Sequence, residues 1–138
     1  FSMDREQAMG YVFIGGGVGI TPLYSMLQTM AGRGDVRPVK LFYGGDKLEN
    51  MTFREELDTL TEQLNLEIFY VLTDPVEGWE GETGYIRAEV LRRHAPPQVR
   101  RFMFFICGPA ALMDTMEETL TGAGIAPEQV HSERFDMV

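Results

Sequence analysis

The chain has 138 residues, of which 44% are hydrophobic and 11% aromatic, enough for one globular domain with its own core. Its formal net charge of −9 argues against nucleic acid and anionic membrane surfaces as direct partners. A single cysteine excludes an internal disulfide and a cysteine-ligated iron–sulfur cluster held by this chain alone, and it fits a reducing, cytoplasmic setting. The start, Phe1 to Arg5, lacks a signal-peptide pattern and is expected to be the cut edge of a larger protein.

The most informative segment is a short apolar run that ends in glycines. Val12 to Ile14 predict a buried strand, and four glycines between positions 15 and 19 predict a tight turn where the backbone approaches a ligand closely. Thr21 suits the N-cap of a following helix and Pro22 its first residue. Free N–H groups and the positive helix end would then converge, which favours a bound phosphate over an empty turn. The glycine spacing matches neither the common dinucleotide fingerprint nor a P-loop.

Further along, predicted strands alternate with predicted helices. The remaining strands are expected at 39–43, 68–72, 102–106 and 129–133. Thr52 and Glu55 predict a capping box at the start of a second helix. The stretch from Thr73 to Thr83 is predicted to be a mobile loop, in which Trp79 either covers a ligand or packs locally. The alternation predicts an α/β fold: a three-layer sandwich with a five-stranded parallel sheet and helices on both faces.

Three predicted strand ends carry unusual residues. They are the glycine turn at 15–19, the segment Gly44 to Asp46, and Cys107-Gly108-Pro109. Ligands of parallel α/β sheets bind at the carboxyl ends of the strands, near the point where the strand order reverses. We therefore expect the three strand ends to meet at one rim of the sheet and to form the binding site.

Together with the terminal Glu133-Arg134-Phe135, these motifs resemble the nicotinamide-binding domain of the ferredoxin–NADP reductase superfamily. The resemblance runs from about Gly10 to Val138, and it is specific because of the order and spacing of the motifs. It implies the strand order 3-2-1-4-5, Cys107 against the nicotinamide ring, Glu133 ordering the transfer site and Phe135 at the flavin ring. The cofactor-binding positions it implies are Gly15, Gly16, Gly17, Val18, Gly19, Ile20, Thr21, Pro22, Gly44, Asp46, Cys107, Gly108 and Pro109.

The implied function is that of the nucleotide-binding half of a flavin-dependent oxidoreductase, residues 1–138 being one domain of a longer polypeptide. NADH is expected in preference to NADPH, because Asp46 would repel a 2′-phosphate. FAD would be bound mainly by a β-barrel domain that this chain does not contain. The onward acceptor would be an iron–sulfur protein, a haem protein or ferric iron, and the full-length protein is expected in the cytoplasm, with membrane association left open. No metal site is expected.

Two alternatives stay open at this point. The chain would be a stand-alone nucleotide-binding or electron-transfer partner module if no flavin domain accompanies it. It would be a thiol enzyme if Cys107 acts as a nucleophile with His131 or His94 as its base, since a helix start after Cys107 would lower the thiol pKa.

Overall fold

The computed structural model describes residues 7–134, so the prediction for Phe135 lies outside the described residues. The strands are β1 (Gly10–Gly16), β2 (Val39–Gly45), β3 (Leu66–Leu72), β4 (Glu82–Thr83), β5 (Phe102–Gly108) and β6 (Val130–Arg134). The α-helices are α1 (Ile20–Arg33), α2 (Arg54–Leu60), α3 (Ala88–His94) and α4 (Ala110–Gly122). Short 3₁₀ turns occur at Gly17–Gly19, Leu48–Asn50, Val99–Arg101 and Pro127–Gln129.

The strands form one parallel sheet in the order β4-β3-β2-β1-β5-β6. The predicted fold class is confirmed, but the predicted count of five strands is wrong. The extra strand, β4, has two residues and lies inside the segment predicted to be a loop. Its pairing is Val71 with Glu82 and Leu72 with Thr83, which is too short to leave a periodic signal in the sequence. The five predicted strands keep the order 3-2-1-4-5 among themselves.

The core has two halves, one on each side of the sheet. Phe13, Leu41 and Phe105 pack against α1 and α2, while the alternate residues of the same strands, such as Val12 and Ile106, pack against α3 and α4. Burial on both faces explains why these strands read as continuous apolar runs instead of alternating patterns. None of the helices in the described range 7–134 combines the length and the apolar character needed to cross a membrane.

Two helix starts differ from the predictions. Helix α1 begins at Ile20 with Gly19 as its N-cap, so Thr21 is not the cap. The preceding 3₁₀ turn runs directly into the helix, and the Ile20 N–H is bonded to carbonyls of that turn. Helix α2 begins after Phe53, whose φ of 63° is in the left-handed region, and no side chain caps it. The predicted Thr52 capping box is therefore wrong.

Candidate functional site

A cleft of about 600 Å³ opens at the carboxyl ends of β1 and β2, on the side of the sheet that α3 and α4 cover. Its walls are the glycine turn, the segment Gly84 to Arg87 and the first turns of α4. The residues that line it are Gly15, Gly16, Gly17, Gly44, Gly45, Thr73, Gly84, Tyr85, Ile86, Arg87, Pro109, Ala111, Leu112 and Thr115.

The register of the sheet brings the predicted strand ends together. Gly15 of β1 lies between Tyr43 of β2 and Cys107 of β5, and Gly16 lies beside Gly44. The carboxyl ends of three strands therefore meet at one rim, as the sequence predicts. Bare backbone dominates this rim, since glycine ends each of these strands.

Two glycines of the turn serve different purposes. Gly17 has a φ of 58°, and a Cβ built there would meet no protein atom within 4 Å, so the space above it is open to a ligand. A Cβ at Gly19 would instead overlap the carbonyl of Cys107, so Gly19 allows the turn to pack on the end of β5. Of these two glycines, only Gly17 faces open space, a difference that the residue type alone does not show.

A second wall of the cleft follows β4. Gly84 has a φ of 88° and donates its N–H to the Leu72 carbonyl at 2.8 Å, which turns the chain back over the sheet. Ile86 is buried, and its side chain would lie 3.3 Å from a Cβ at Gly44, so this wall packs closely on the end of β2. Tyr85 stands at the mouth with 80% of its surface exposed.

Arg87 is the charged residue among the described residues that line the cleft. Its Nη1 donates to the carbonyls of Thr83 at 3.0 Å and Tyr85 at 3.1 Å, and its Nε lies 3.2 Å from a Glu89 carboxylate oxygen. These contacts hold the guanidinium at the wall in spite of its exposure. An anionic ligand in the cleft would meet one fixed positive charge there.

Asp46 follows β2 on the rim, outside the residues that line the cleft. Its carboxylate accepts the Lys47 backbone N–H at 2.6 Å and the Asn50 side-chain amide at 3.3 Å, and these bonds hold the pKa of Asp46 below its ordinary value. The Lys47 ammonium turns away to Asp74, at 2.5 Å from its carboxylate and 3.2 Å from its carbonyl. The rim thus carries two carboxylates around one lysine.

Cys107 does not line the cleft. It is 4% exposed and belongs to the core on the α1 and α2 side of the sheet, the face opposite to the cleft. Burial, with a smaller contribution from the Glu133 carboxylate, raises the pKa of the thiol to about 11. The prediction that a helix start lowers this pKa is therefore wrong, because α4 begins at Ala110, beyond Gly108 and Pro109. His94 is hydrogen-bonded to Glu82 and stacks on Phe69, so these contacts do not support His94 as a base for Cys107.

The structure brings five of the predicted binding residues to the cleft: Gly15, Gly16, Gly17, Gly44 and Pro109. The others lie around it. Gly19 and Ile20 are buried under the turn, Gly108 is buried beneath Leu112, and Val18 and Thr21 are exposed at its outer side. Glu133 is exposed on β6, in register with Cys107.

Sequence reasoning missed Tyr85 and Arg87 of the second wall, and also Thr73 after β3 and Thr115 on α4. The only signal was the Gly84-Tyr85-Ile86 sequence before a helical pattern, and a glycine at that point does not reveal its left-handed backbone. Within residues 7–134, no group of three or more histidine, cysteine, aspartate and glutamate side chains is placed to hold a metal ion.

Comparisons with known proteins agree with this geometry. A family model described as the oxidoreductase NAD-binding domain matches residues 13–118. NADH-cytochrome b5 reductase 2 of Meyerozyma guilliermondii is 35% identical over 127 residues, which cover 90% of this chain and 42% of that protein.

Solved structures show the same likeness. The flavohem-like FAD/NAD-binding domain of a nitric oxide dioxygenase from Vibrio cholerae O1 biovar El Tor superposes with a TM-score of 0.84 at 25% identity, covering 99% of this chain and 54% of that one. The cytochrome b5 reductase domain of Ulva prolifera nitrate reductase shares the fold, with a TM-score of 0.79 at 20% identity, covering 91% and 50%. The chain spans about half the length of the proteins it matches.

Proposed function

Because the chain belongs to the oxidoreductase NAD-binding domain family, we propose that it is the nicotinamide-nucleotide-binding half of a flavin-dependent oxidoreductase. In that role it places NADH for hydride transfer to FAD and onward electron transfer. The family match confirms the resemblance to the ferredoxin–NADP reductase superfamily that the glycine turn and the other strand ends indicated. The observation that carries the proposal is the open glycine cleft at the rim of the sheet.

The residues of the cleft fit a dinucleotide. A Cβ at Gly17 would fill space that no protein atom occupies, while Gly16 and Gly44 let Leu112 and Ile86 close the neighbouring walls. Backbone without side chains lets a pyrophosphate approach closely, as in other nucleotide-binding turns. The Arg87 guanidinium would offset part of the negative charge of the phosphates. Thr21 and Pro22 follow the glycine turn in the chain, in the first turn of α1.

The nicotinamide would reach across the rim to the end of β5. Pro109 lines the cleft and would lie against the ring, while Gly108 is covered by Leu112. Cys107 packs in the core on the opposite face, where its buried thiol is protonated at neutral pH. When bound, FAD supplies the hydride acceptor, and the protein contributes placement and exclusion of water. We propose that a separate domain of the same polypeptide holds FAD and that Glu133 lies on the side facing it; the role of Phe135 at the flavin ring stays a prediction from the resemblance.

The onward acceptor that we favour is a haem protein. The curated relative from Meyerozyma guilliermondii is named for cytochrome b5. A cytoplasmic location of the whole protein remains part of the same proposal.

Nucleotide titration of this chain tests the proposal. We expect calorimetry to show binding of NADH and of ADP-ribose, and weaker binding than in a complete reductase because the flavin side of the site is missing. Gly17→Val is the variant to compare with wild type. We expect it to lose nucleotide binding, because its side chain would project into the open part of the cleft. The proposal is refuted if none of NADH, NADPH and ADP-ribose binds at millimolar concentration.

For the choice of cofactor, we propose NADH over NADPH, with Asp46 as the discriminating residue. The Lys47 ammonium is paired with Asp74 and offsets only part of the negative charge of Asp46, which would repel a 2′-phosphate. We expect Asp46→Ser to lower the ratio of NADH to NADPH affinity and Glu49→Gln, an exposed acid beside the same rim, to leave it unchanged. A wild-type preference for NADPH would refute the assignment of NADH. An unchanged ratio of NADH to NADPH affinity in Asp46→Ser would show that Asp46 does not determine the choice of cofactor.

A further inference from the structure

A partly buried carboxylate lies directly before the second wall of the cleft. Glu82 is 14% exposed in its side chain, and it accepts hydrogen bonds from Arg93 Nε at 2.8 Å and Arg93 Nη2 at 2.5 Å. His94 Nε2 donates to the same carboxylate at 2.7 Å. Two consecutive residues at the end of α3 thus hold one residue of β4.

The contacts of Glu82 extend through His94 to aromatic residues of the core, unlike those of a surface ion pair. The His94 ring stacks on Phe69 of β3, with centroids 4.2 Å apart, and Phe69 stacks in turn on the buried Phe42 at 5.0 Å. Hydrogen bonds from Arg93 above all, together with His94, lower the pKa of Glu82 to about 2, so the carboxylate is charged at neutral pH. The Glu82 contacts therefore connect β4 to α3 and, through His94, to β3.

Strand β4 needs such support because it is only two residues long. A pairing of this length provides too few backbone hydrogen bonds to hold a strand at the edge of a sheet. The Glu82 carbonyl also accepts the Trp79 indole N–H at 3.0 Å, so both the side chain and the backbone of Glu82 are held. The residues that follow at once, Gly84 to Arg87, are the second wall of the cleft.

We infer that Glu82 is a positioning residue for nucleotide binding, fixing the wall that carries Tyr85 and Arg87 through its contacts with Arg93 and His94. This inference rests on the proposed function of the cleft. Glu82 itself does not line the cleft, so it acts through the wall and not by touching the ligand. Loss of its charge would free the end of β4 and lower the fraction of molecules in which Tyr85 and Arg87 are in place.

The test compares four chains: wild type, Glu82→Gln, Arg93→Gln and the double variant. Glu67→Gln is the matched control, because Glu67 forms a salt bridge with Lys40 between β2 and β3, away from the cleft. NADH affinity is measured by calorimetry at a temperature where circular dichroism shows every variant folded. We expect Glu82→Gln and Arg93→Gln each to bind about tenfold more weakly, corresponding to about 1.4 kcal/mol, and Glu67→Gln to bind as wild type does.

The double variant shows whether Glu82 acts through Arg93 or whether the two substitutions weaken binding independently. If Glu82 acts through Arg93, the double variant binds no more weakly than either single variant, because both changes remove the same contact. Glu82→Asp, which keeps the carboxylate, is expected to restore most of the affinity. Wild-type affinity in Glu82→Gln, or losses that multiply in the double variant, would overturn the inference.

Trp79 gives a readout that does not need the ligand, since it is the single tryptophan of the chain. We expect its emission to shift to longer wavelength in Glu82→Gln and Arg93→Gln, and to stay unchanged in Glu67→Gln. No shift in Glu82→Gln would also overturn the inference. If wild type binds no NADH, the proposed function fails, and the role of Glu82 in nucleotide binding fails with it. A Trp79 shift in the same experiment would then show that Glu82 has a structural role only.

Discussion

At the scale of single residues, the glycine turn shows that neighbouring glycines can be required for different reasons. Gly17 is required by its left-handed backbone and by the open space above it, whereas Gly19 is required by contact with the end of β5. One position therefore concerns the ligand and the other concerns the fold. Substitutions at the two positions should separate these effects.

We expect Gly19→Ala to lower the free energy of unfolding by about 2–4 kcal/mol, because the new methyl group would overlap a backbone carbonyl that cannot move away easily. Gly17→Ala should cost only about 1 kcal/mol, the strain of a left-handed alanine. Urea denaturation of both variants checks this order. Equal losses of stability would contradict the two roles.

Cys107 supports a prediction about reactivity. Burial keeps the thiol protonated at neutral pH and shields it from solvent, so iodoacetamide should modify the folded chain slowly at pH 7 and the unfolded chain quickly. Mass spectrometry over time in buffer and in urea measures both rates. Rapid labelling of the folded chain would restore the thiol-enzyme alternative.

At the scale of elements, one buried amide joins three segments of the chain. Gln129 Nε2 donates to the carbonyls of Val99 at 3.0 Å and Phe102 at 2.9 Å, and its Oε1 accepts the Ala126 N–H at 3.2 Å. It therefore fixes the approach to β6 against the start of β5. Because β6 carries Glu133, the position of this edge depends on Gln129.

Removing that amide should be costly. We expect Gln129→Ala to destabilise the chain by about 2–3 kcal/mol, since the carbonyls of Val99 and Phe102 and the Ala126 N–H each lose their hydrogen bond to the buried amide. Glu128→Ala, at the exposed neighbouring position, should change stability by less than about 0.5 kcal/mol. Chemical denaturation of the two variants gives the comparison, and a similar loss in both would show that the amide is not the cause.

At the scale of the whole molecule, two paired carboxylates make stability depend on pH. Arg93 and His94 lower the pKa of Glu82 to about 2, from an ordinary 4.5, and Arg37 lowers the pKa of Asp35. The unfolded chain binds protons at these groups at a higher pH than the folded chain does. Their stabilisation is therefore complete above about pH 4.5 and is lost as the pH falls toward 2.

We expect Glu82 to contribute about 3 kcal/mol to this loss, because its pKa differs by about 2.5 units between the unfolded and the folded chain. Denaturation at several pH values between 6 and 2 should show a steeper decline in wild type than in Glu82→Gln. Glu67→Gln, which removes an exposed partner of Lys40, should follow the wild-type curve. Parallel curves for wild type and Glu82→Gln would contradict the pKa of Glu82.

The sequence by itself determined the fold class and the location of the site. Alternating apolar runs and helical patterns require parallel strands with helices between them, and such connections place the carboxyl ends of all strands on one rim. The glycine turn, Gly44 and Pro109 could therefore be assigned to one site before any contact was known. These features depend on local composition and chain order.

Only the tertiary structure decided which residues complete the site. The pairing of β4, the left-handed backbone of Gly84 and the contacts of Arg87 depend on neighbours far away in the chain, such as Leu72. The same holds for Cys107, whose side chain faces the core because of its place in the alternation of β5. A burial environment, and hence a pKa, is set by what packs around a residue, and residue type alone does not carry that information.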